Sequence, residues 1–316
     1  GHRFTYVVSP EEERENLTVE WFLRRHGYSR HIITGLKRTE DGIFRNGVRA
    51  WTSQAVHAGD VIETHLVETE PSDGILPRPV PFSVVYEDDD ILVVDKPADT
   101  PIHPSIGNYE NTLANGIAWY FEQKGEPFVY RCINRLDRDT TGALILAKNP
   151  LSAAILSVQM KKRQILRTYL ALVDGFLPDS GTINAPIARM EGSVITREVN
   201  FETGESAITI INGSLIQRTV DFASGERSVT HYRTLAHCSV FSHLELNLET
   251  GRTHQIRVHM AYIGHPLLGD TLYNKTPGTF PRQALHSASL SFVHPITGEP
   301  LNFHAPLPED MQNLLT

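Results

Sequence analysis

Hydrophobic residues between positions 17 and 67 follow first a helical and then a strand-like spacing. In the segment LTVEWFLRRHGY, the apolar residues Val19, Phe22 and Leu23 fall on one helical face. The next segment, SRHIITGLKR, begins with a serine that can cap a helix and again has apolar residues at helical spacing. Two strand-like runs follow, separated by the Asn-Gly turn of RNGVRA. The pattern predicts two short helices followed by a small sheet.

A proline-rich segment follows this unit. Residues 69–82 contain four prolines among polar residues, in the sequence ETEPSDGILPRPVPF. Proline favours extended backbone and fits poorly into helices or central strands. We therefore expect a linker over residues 69–82 between a small α/β domain, residues 1–68, and a large domain, residues 83–316.

The large domain mixes strand and helix patterns. FSVVYEDDDILVVDKP is typical of two strands joined by an aspartate turn, and RTYLALVDG of a buried strand. NTLANGIAWYFEQKG has the pattern of a helix, and LSAAILSVQMKK has an amphipathic helical stripe. This mixture predicts an α+β domain with a mixed, largely antiparallel sheet, flanking helices and a central cleft.

An internal repeat occupies residues 192–232. GSVITREVNFETGESAITII begins at Gly192, and GSLIQRTVDFASGERSVTHY begins at Gly213 and aligns with it without gaps. Each copy alternates apolar and polar residues around a glycine-centred turn, as a β-hairpin does. Two copies are too few for a solenoid, so we predict a duplicated hairpin inserted in the large domain. Structural decoration is the favoured interpretation, and an added substrate-contacting arm is the alternative.

Composition limits the classes of protein to consider. Hydrophobic residues make up 40% and charged residues 21% of the chain, and no stretch approaches the roughly 18 apolar residues of a membrane span. The first residues, GHRFTYVVSPEEE, lack the basic and apolar segments of a cleavable signal. Cys132 and Cys238 are too few for a disulfide framework and lack metal-type spacing. We expect a cytoplasmic protein with reduced cysteines and no membrane association.

The net charge of −8 argues against a protein that coats nucleic acid through bulk positive charge. Any site for a polyanion must therefore be local. Basic clusters at residues 24–38 and 161–167 could supply one, although each alone is more typical of a solvated helix face.

Candidate chemistry lies in two clusters. RCINRLDRDTTGALILAKN, residues 131–149, places Asp137 after a strand-like run, and a carboxylate held rigidly at a strand end suits a nucleophile. A single aspartate of this kind more often has a structural role. A second cluster, LETGRTHQIRVHMAYIGHPLLGD, favours a catalytic role instead. There Arg252 and His254 flank a predicted helix N-terminus, which favours anions. Arg252 could pair with a carboxylate, which would stay ionised, or grip a phosphate.

Together these clusters resemble the RluA/RluD-type pseudouridine synthases of RNA. The family signature, His-Arg-Leu-Asp with Thr-Ser-Gly after two more residues, corresponds to NRLDRDTTG at residues 134–142. GRTHQIRVHMA, GHPLLGD and ALHSASLSFVHPITGEPLNFHAPLP fit later motifs of the family in the same order. The resemblance spans residues 84–310.

The resemblance implies a uridine isomerase that needs no cofactor and no metal. Asp137 would be the catalytic aspartate, Arg252 its partner, and Tyr169 the aromatic residue that packs on the target uracil. Arg135 would fill the gap left when the uridine swings out of the RNA. Further RNA contacts are expected from Lys96, His103 and His254.

The N-terminal pattern resembles the S-four RNA-binding module. In that family a serine and basic residues of the second helix face RNA, and the matching residues here are Ser29, Arg30, Lys37 and Arg38. The implied partner is structured RNA, with ribosomal RNA favoured over transfer RNA, bound by a monomer.

Three positions depart from the family pattern. Asn134 replaces the usual histidine, Thr141 replaces serine, and Asp99 stands where glycine is common. We expect altered contacts around Asn134 with activity retained, and a different loop at Asp99.

Two other functions are consistent with the residues. A nucleoside N-glycoside hydrolase could use Asp137 and Asp139, which would lie about 7 Å apart on one face of a strand. A non-catalytic RNA-binding protein could retain the same fold. Within the isomerase interpretation, the carboxylate could act on the ribose or add to the uracil ring, and the sequence does not choose between these routes.

Overall fold

The computed structural model describes residues 1–190, 195–199, 206–210 and 217–316. Its first unit, the N-terminal module, is a four-stranded sheet of order β1-β4-β2-β3 packed against two helices. The elements in chain order are β1 (His2–Val7), α1 (Val19–Arg25), α2 (Arg30–Arg38), β2 (Ile43–Arg45), β3 (Val48–Arg49) and β4 (Val61–Leu66). The two predicted helices and the following strands are confirmed. Strand β1 was missed because only one of its side chains is buried, so its alternation carries little signal.

Local signals explain why these elements begin and turn where they do. The side chain of Thr18 accepts a hydrogen bond from the backbone of Trp21, and that of Ser29 accepts one from Ile32, so both helices are capped. Asn46 and Gly47 both have positive φ, which produces the tight turn between β2 and β3.

The remainder of the described chain contains a large sheet, two smaller strand pairs and four helices. Its strands are β5 (Ser83–Glu87), β6 (Ile91–Lys96), β7 (Thr141–Ala147), β8 (Leu166–Asp174), β9 (Ser180–Asn184), β10 (Ile187–Arg189), β11 (Ile195–Val199), β12 (Ser206–Ile210), β13 (Arg218–Val220), β14 (Val229–His237), β15 (Phe241–Leu248), β16 (Leu285–Val293) and β17 (Pro300–His304). Its helices are α3 (Leu113–Lys124), α4 (Pro150–Lys161), α5 (Gln255–Tyr262) and α6 (Glu309–Leu315).

The large sheet has the order β5-β6-β7-β16-β8-β15-β14-β9, with β17 paired to β16. Every pairing is antiparallel except that of β7 with β16. The α+β class and the largely antiparallel sheet are therefore confirmed. No described helix is long and apolar enough to cross a bilayer.

The sheet separates two apolar cores, and the N-terminal module contributes a third. One core packs α3 and α5 against one face of the sheet, and a second places Leu156 of α4 beside β17. Leu151 of α4 lies within the core of the N-terminal module, and Ile155 packs against it. Arg131 also reaches the module's edge, where it pairs with Glu68. Residues 67–82 contain no helix or strand and lead into β5.

The repeat does not form two equivalent hairpins. In the first copy, β11 pairs with β12 antiparallel, from Ile195 with Ile210 to Val199 with Ser206; the turn between them lies outside the described residues. In the second copy, β13 pairs with β10, and β14 pairs with β9 and β15. The prediction of a second hairpin was wrong, because both edges of β14 are already used within the large sheet.

Asn134 connects the segment before the signature to strand β7. Its side chain is buried, donates to the carbonyl of Ala143 through Nδ2 (3.2 Å), and accepts from the backbone N–H of Ile145 through Oδ1 (2.8 Å). The backbone N–H of Ile133 donates to the carbonyl of Ile145 just before this contact. The Asn134 side chain therefore continues the pairing with β7 where the backbone moves away from that strand. Asparagine fits this position because it supplies one donor and one acceptor.

We expect Asn134→Ala to lower the free energy of unfolding by about 1–3 kcal/mol, because the buried N–H of Ile145 would lose its acceptor. Urea unfolding of the full chain measures this loss. Asn111→Ala is the matched control, since Asn111 is exposed and bonds only the side chain of Asn108, and it should change stability by less than about 0.5 kcal/mol. Equal losses in the two variants would contradict the assigned role of Asn134.

Candidate active site

Asp137 lies in a turn that precedes β7, and the prediction that it ends a strand was wrong. The backbone N–H of Thr140 donates to the carbonyl of Asp137 (3.1 Å), which closes the turn. We call residues 137–140 the catalytic loop, after the role that sequence analysis predicts for Asp137. Because the loop is not extended, Asp137 and Asp139 lack the strand spacing on which the two-carboxylate hydrolase interpretation depends. Asp139 accepts instead from the backbone of Asp99 (3.1 Å).

Two buried cations hold the catalytic loop by its carbonyl groups. Lys96 Nζ donates to the carbonyls of Pro97 (2.9 Å) and Arg138 (2.8 Å), and Arg282 Nη1 donates to that of Asp139 (2.9 Å). Lys96 has 0% of its surface exposed, and burial lowers its pKa to about 7. The expectation that Lys96 contacts RNA was therefore wrong, because its ammonium group is enclosed beneath the loop.

Gly142 allows β7 to approach β16 closely just after the catalytic loop. Its φ is +118°, and a Cβ atom there would lie 2.2 Å from the carbonyl oxygen of Ser287. No side chain fits this space, and positive φ also favours glycine. The two strands pair in parallel at this point, which fixes the loop against the sheet.

Arg257, and not Arg252, is the partner of Asp137. Arg257 Nη1 donates to Asp137 Oδ2 (3.0 Å), while Nε and Nη2 bind Asp270 in a bidentate pair (2.8 and 2.9 Å). Arg252 pairs with Glu226 and donates to the carbonyl of Arg227 (3.3 Å). The predicted pairing of Arg252 with Asp137 was wrong because Arg252 precedes α5, whereas Arg257 lies within its first turns.

The arrangement keeps Asp137 ionised. Burial raises the pKa of the Asp137 carboxyl, but the positive charge of His254 when it is protonated and those of Arg257 and Lys96 lower it, and the pKa lies below its ordinary value. The Arg257 side chain is only 8% exposed, whereas that of Asp137 is 29% exposed. A carboxylate that is charged, partly exposed and fixed through one oxygen has its other oxygen available for reaction.

A cleft of about 440 Å³, counted with its open mouth, lies over Asp137. Its lining includes Arg135, Tyr169, Arg252, His254 and Arg257, so the structure brings these predicted residues together. Tyr169 is 5% exposed and stands on β8 among the core residues that support the cleft. The cleft therefore combines a flat aromatic side chain, a carboxylate and several cations.

Arg167, the last residue of the basic cluster at residues 161–167, also lines the cleft, although sequence analysis did not place it there. It lies two residues before Tyr169 on β8, and side chains at this spacing share one face of a strand. Its Nε atom is buried and has no hydrogen-bond partner in the described part of the chain. A Cβ atom at Gly251 would lie 3.0 Å from its guanidinium group, so glycine leaves room for this side chain.

The other predicted RNA contacts lie outside this cleft lining. Those on the N-terminal module are exposed along and beside α2, and Ser29 also caps that helix: Ser29, Arg30, Lys37 and Arg38. His103 is exposed and packs edge-on against Tyr130. The contact of these residues with RNA stays a prediction.

One group of potential metal ligands occurs among the described residues, formed by Asp88, Asp90 and His294. His294 Nε2 lies 2.8 Å from Asp88 Oδ2, and His294 Nδ1 accepts from the backbone N–H groups of Ile296 and Thr297. Asp88 also accepts from the backbone of Asp90 and Ile91. Both ring nitrogens of His294 therefore take part in hydrogen bonds, and the three residues connect two turns.

Sequence analysis missed Arg257, Asp270 and Tyr273. All three follow Arg252 in the same quoted motif or just after it, so the motif located the region correctly. The position at which α5 begins decides which arginine reaches Asp137. His254 has a φ of +57°, so the helix begins only at Gln255. Such a backbone conformation has no clear signal in this sequence, since histidine adopts it only occasionally.

Comparisons with known proteins agree with this site. The family model described as RNA pseudouridylate synthase matches residues 90–262. A Bacillus subtilis protein named as an uncharacterised RNA pseudouridine synthase is 36% identical over 300 residues, covering 95% of this chain and 98% of its own. The ribosomal large subunit pseudouridine synthase D of Vibrio cholerae is 38% identical over 270 residues, covering 81% and 76%. The solved structure of human RNA pseudouridylate synthase domain containing 1 shares 27% identity and a TM-score of 0.56, covering 75% of this chain and 86% of that one. This chain belongs to the RNA pseudouridylate synthase family, whose members isomerise uridine in RNA.

Proposed function

We propose that this enzyme converts specific uridines of large-subunit ribosomal RNA to pseudouridine, with Asp137 as the reacting carboxylate. The carrying observation is the ionised Asp137, fixed through one oxygen by Arg257 at the base of a cleft lined by Tyr169. Relatives named as ribosomal large subunit pseudouridine synthases support the choice of ribosomal RNA.

The reaction requires little machinery because it is an isomerisation. The bond from the ribose anomeric carbon to N1 of uracil breaks, the ring turns, and a bond forms from the same carbon to C5. N1 gains a proton, and the proton at C5 is lost. The free oxygen of Asp137 can act on the sugar or add to the ring, and both routes use the same position in the cleft.

Retention of the detached base calls for a closed, flat-walled pocket. Tyr169 supplies an aromatic face on a rigid strand, and base–aromatic stacking contributes about 1–3 kcal/mol per base. Arg135 is exposed at the cleft, where its planar guanidinium group can stack in place of the extruded uridine. Arg167 lines the cleft, where its guanidinium group can bind a phosphate beside the target nucleotide.

We propose that the N-terminal module is an S-four-like RNA-binding domain. Lys37 and Arg38 extend from the last turn of α2. The same module carries two exposed tryptophans, with Arg25 4.9 Å from the ring of Trp21 and Arg49 5.2 Å from that of Trp51. Cationic and aromatic side chains together suit the phosphate and base faces of RNA. The proposal includes a monomeric enzyme acting in the cytoplasm.

Asp137→Asn should abolish pseudouridine formation, with a loss of at least about a thousandfold, because the amide is a poor nucleophile. The measurement is pseudouridine mapping of total RNA from a strain lacking the protein and complemented with either form. We expect one or more large-subunit sites to return with the wild type only. Wild-type release of free uracil would instead support the hydrolase, and full restoration by Asp137→Asn would exclude Asp137 as the reacting group.

Substitution of Arg257 should lower the reaction rate much more than substitution of Arg252. Arg257→Lys keeps the buried charge but loses the forked geometry, so we expect the rate to fall by about 100- to 1000-fold. Arg252 pairs with Glu226, and no described hydrogen bond joins it to Asp137, so we expect Arg252→Gln to change the rate by less than about tenfold. Rates are measured with thermal unfolding as a check on folding. Similar losses in the two variants would contradict the assignment of Arg257.

RNA binding should weaken steeply with salt in spite of the acidic chain, because local cations contact phosphates. We expect the slope of log affinity against log salt to fall by about one for Arg167→Gln and about two for Lys37→Gln/Arg38→Gln. Large-subunit RNA from the strain lacking the protein serves as the ligand. Arg233→Gln is the control, because Arg233 is exposed and already paired with Glu245. Unchanged slopes in all variants would refute local phosphate binding.

A further inference from the structure

Tyr273 connects the second repeat copy to the active site. Its hydroxyl oxygen accepts from the backbone N–H of Arg218 in β13 (2.9 Å) and lies 2.7 Å from His254 Nδ1. The ring of Tyr273 also lies under Arg257, with 5.2 Å from the guanidinium carbon to the ring centroid. One tyrosine therefore contacts both residues that face Asp137.

The direction of these hydrogen bonds sets the tautomer of His254. The Tyr273 hydroxyl already accepts from Arg218, so its own proton points to His254 Nδ1, the one acceptor recorded beside it. Nδ1 then lacks a proton and Nε2 carries it. The opposite tautomer would leave the hydroxyl proton without a described acceptor and would turn an imidazole lone pair towards the Asp137 carboxylate.

His254 then presents an N–H group to the free side of Asp137. Its Nε2 lies 3.8 Å from Asp137 Oδ1, a distance beyond a hydrogen bond, while Oδ2 is bound by Arg257. Within the described residues, Oδ1 accepts no hydrogen bond. A neutral imidazole at this distance leaves Oδ1 reactive, whereas an imidazolium would form an ion pair with it.

The charges around His254 oppose one another. Asp137 and Asp270 favour its protonated form, and Arg257 and Arg218 disfavour it, while burial lowers its pKa. Burial also raises the pKa of Tyr273 to about 12, so the hydroxyl keeps the proton that it donates. Because these charges oppose one another, the hydrogen bond donated to Nδ1 has a direct effect on the pKa of His254. A nitrogen that accepts a hydrogen bond cannot also carry a proton.

We propose that Tyr273, anchored by the backbone of Arg218, is a positioning residue that holds His254 as the neutral Nε2–H tautomer and so keeps Asp137 Oδ1 free to react. This inference rests on the proposal that Asp137 is the reacting carboxylate. It also gives the second repeat copy a part in the active site, since β13 supplies the anchoring N–H group.

The test is the pH dependence of Tyr273→Phe, measured as tritium release from large-subunit RNA labelled at C5 of uracil. Removal of the hydroxyl frees Nδ1 to bind a proton, which raises the pKa of His254. Because His254 then takes up a proton at a higher pH than in the wild type, the variant should approach wild-type activity near pH 8 and lose activity more steeply as the pH falls, by up to about tenfold per pH unit. Tyr262→Phe, on an exposed tyrosine of α5, should retain the wild-type profile. A loss of equal size at every pH would overturn the proposal, since it would show only structural support.

A second measurement does not depend on activity or on the folding of Tyr273→Phe. Nitrogen-15 NMR of histidine-labelled wild-type protein reports which ring nitrogen carries the proton, and His254→Asn identifies the resonance. Asparagine tolerates the left-handed backbone at this position. A proton on Nε2 supports the proposal, and a proton on Nδ1 overturns it. If the proposed target is wrong, the wild type releases no tritium from the RNA while the tautomer measurement still decides the inference.

Discussion

The buried guanidinium group of Arg257 holds together three parts of the catalytic centre. It lies in α5, binds Asp270 through two hydrogen bonds and binds Asp137 through one. A buried cation is costly unless its charge and its N–H groups are both satisfied, and removing one partner of such a pair typically costs about 3–5 kcal/mol. Asp270 is fully buried and fixes the orientation of the guanidinium group, so Nη1 is directed towards Asp137.

This division of roles explains how one arginine can serve both folding and reaction. Asp270 also accepts from the backbone N–H groups of Leu272 and Tyr273, which ties the segment after α5 to the same centre. Asp137 contacts Arg257 through a single oxygen and remains partly exposed. Lys96 and Arg282 hold the catalytic loop from below through backbone carbonyls. The loop needs no regular secondary structure because buried donors define its path.

The parts of the structure that sequence analysis predicted correctly are those with local signals. Ser29 as a cap and Asn46-Gly47 as a turn act within a few residues, and the structure confirms both. The pairing of β13 was mispredicted because the second repeat copy has the same local alternation as the first. Its partner is decided by β14, which the large sheet already occupies on both edges. Alternation predicts a strand, whereas pairing depends on distant segments.

In the candidate site, too, sequence analysis located the residues with local motifs and missed contacts that depend on distant segments. The motifs located Asp137 and Tyr169, and the structure brings both to the cleft. They could not separate Arg252 from Arg257, because that choice depends on the left-handed backbone of His254 and on Asp270. Lys96 was expected to contact RNA because of the family resemblance. Its burial depends on how β6 meets the catalytic loop, which no local pattern reveals.

Charge pairing distinguishes the cations that build the site from those that remain for RNA. Arg257 and Arg282 are each bound to carboxylates, Asp270 and Asp310 respectively, so neither has a charge free for a phosphate. Arg167, whose buried Nε has no described partner, lines the cleft together with the exposed Arg135. The chain as a whole carries a net charge of −8, so its bulk charge does not attract RNA. Binding then depends on places where several such cations contact the RNA at once, which favours RNA that fits the cleft.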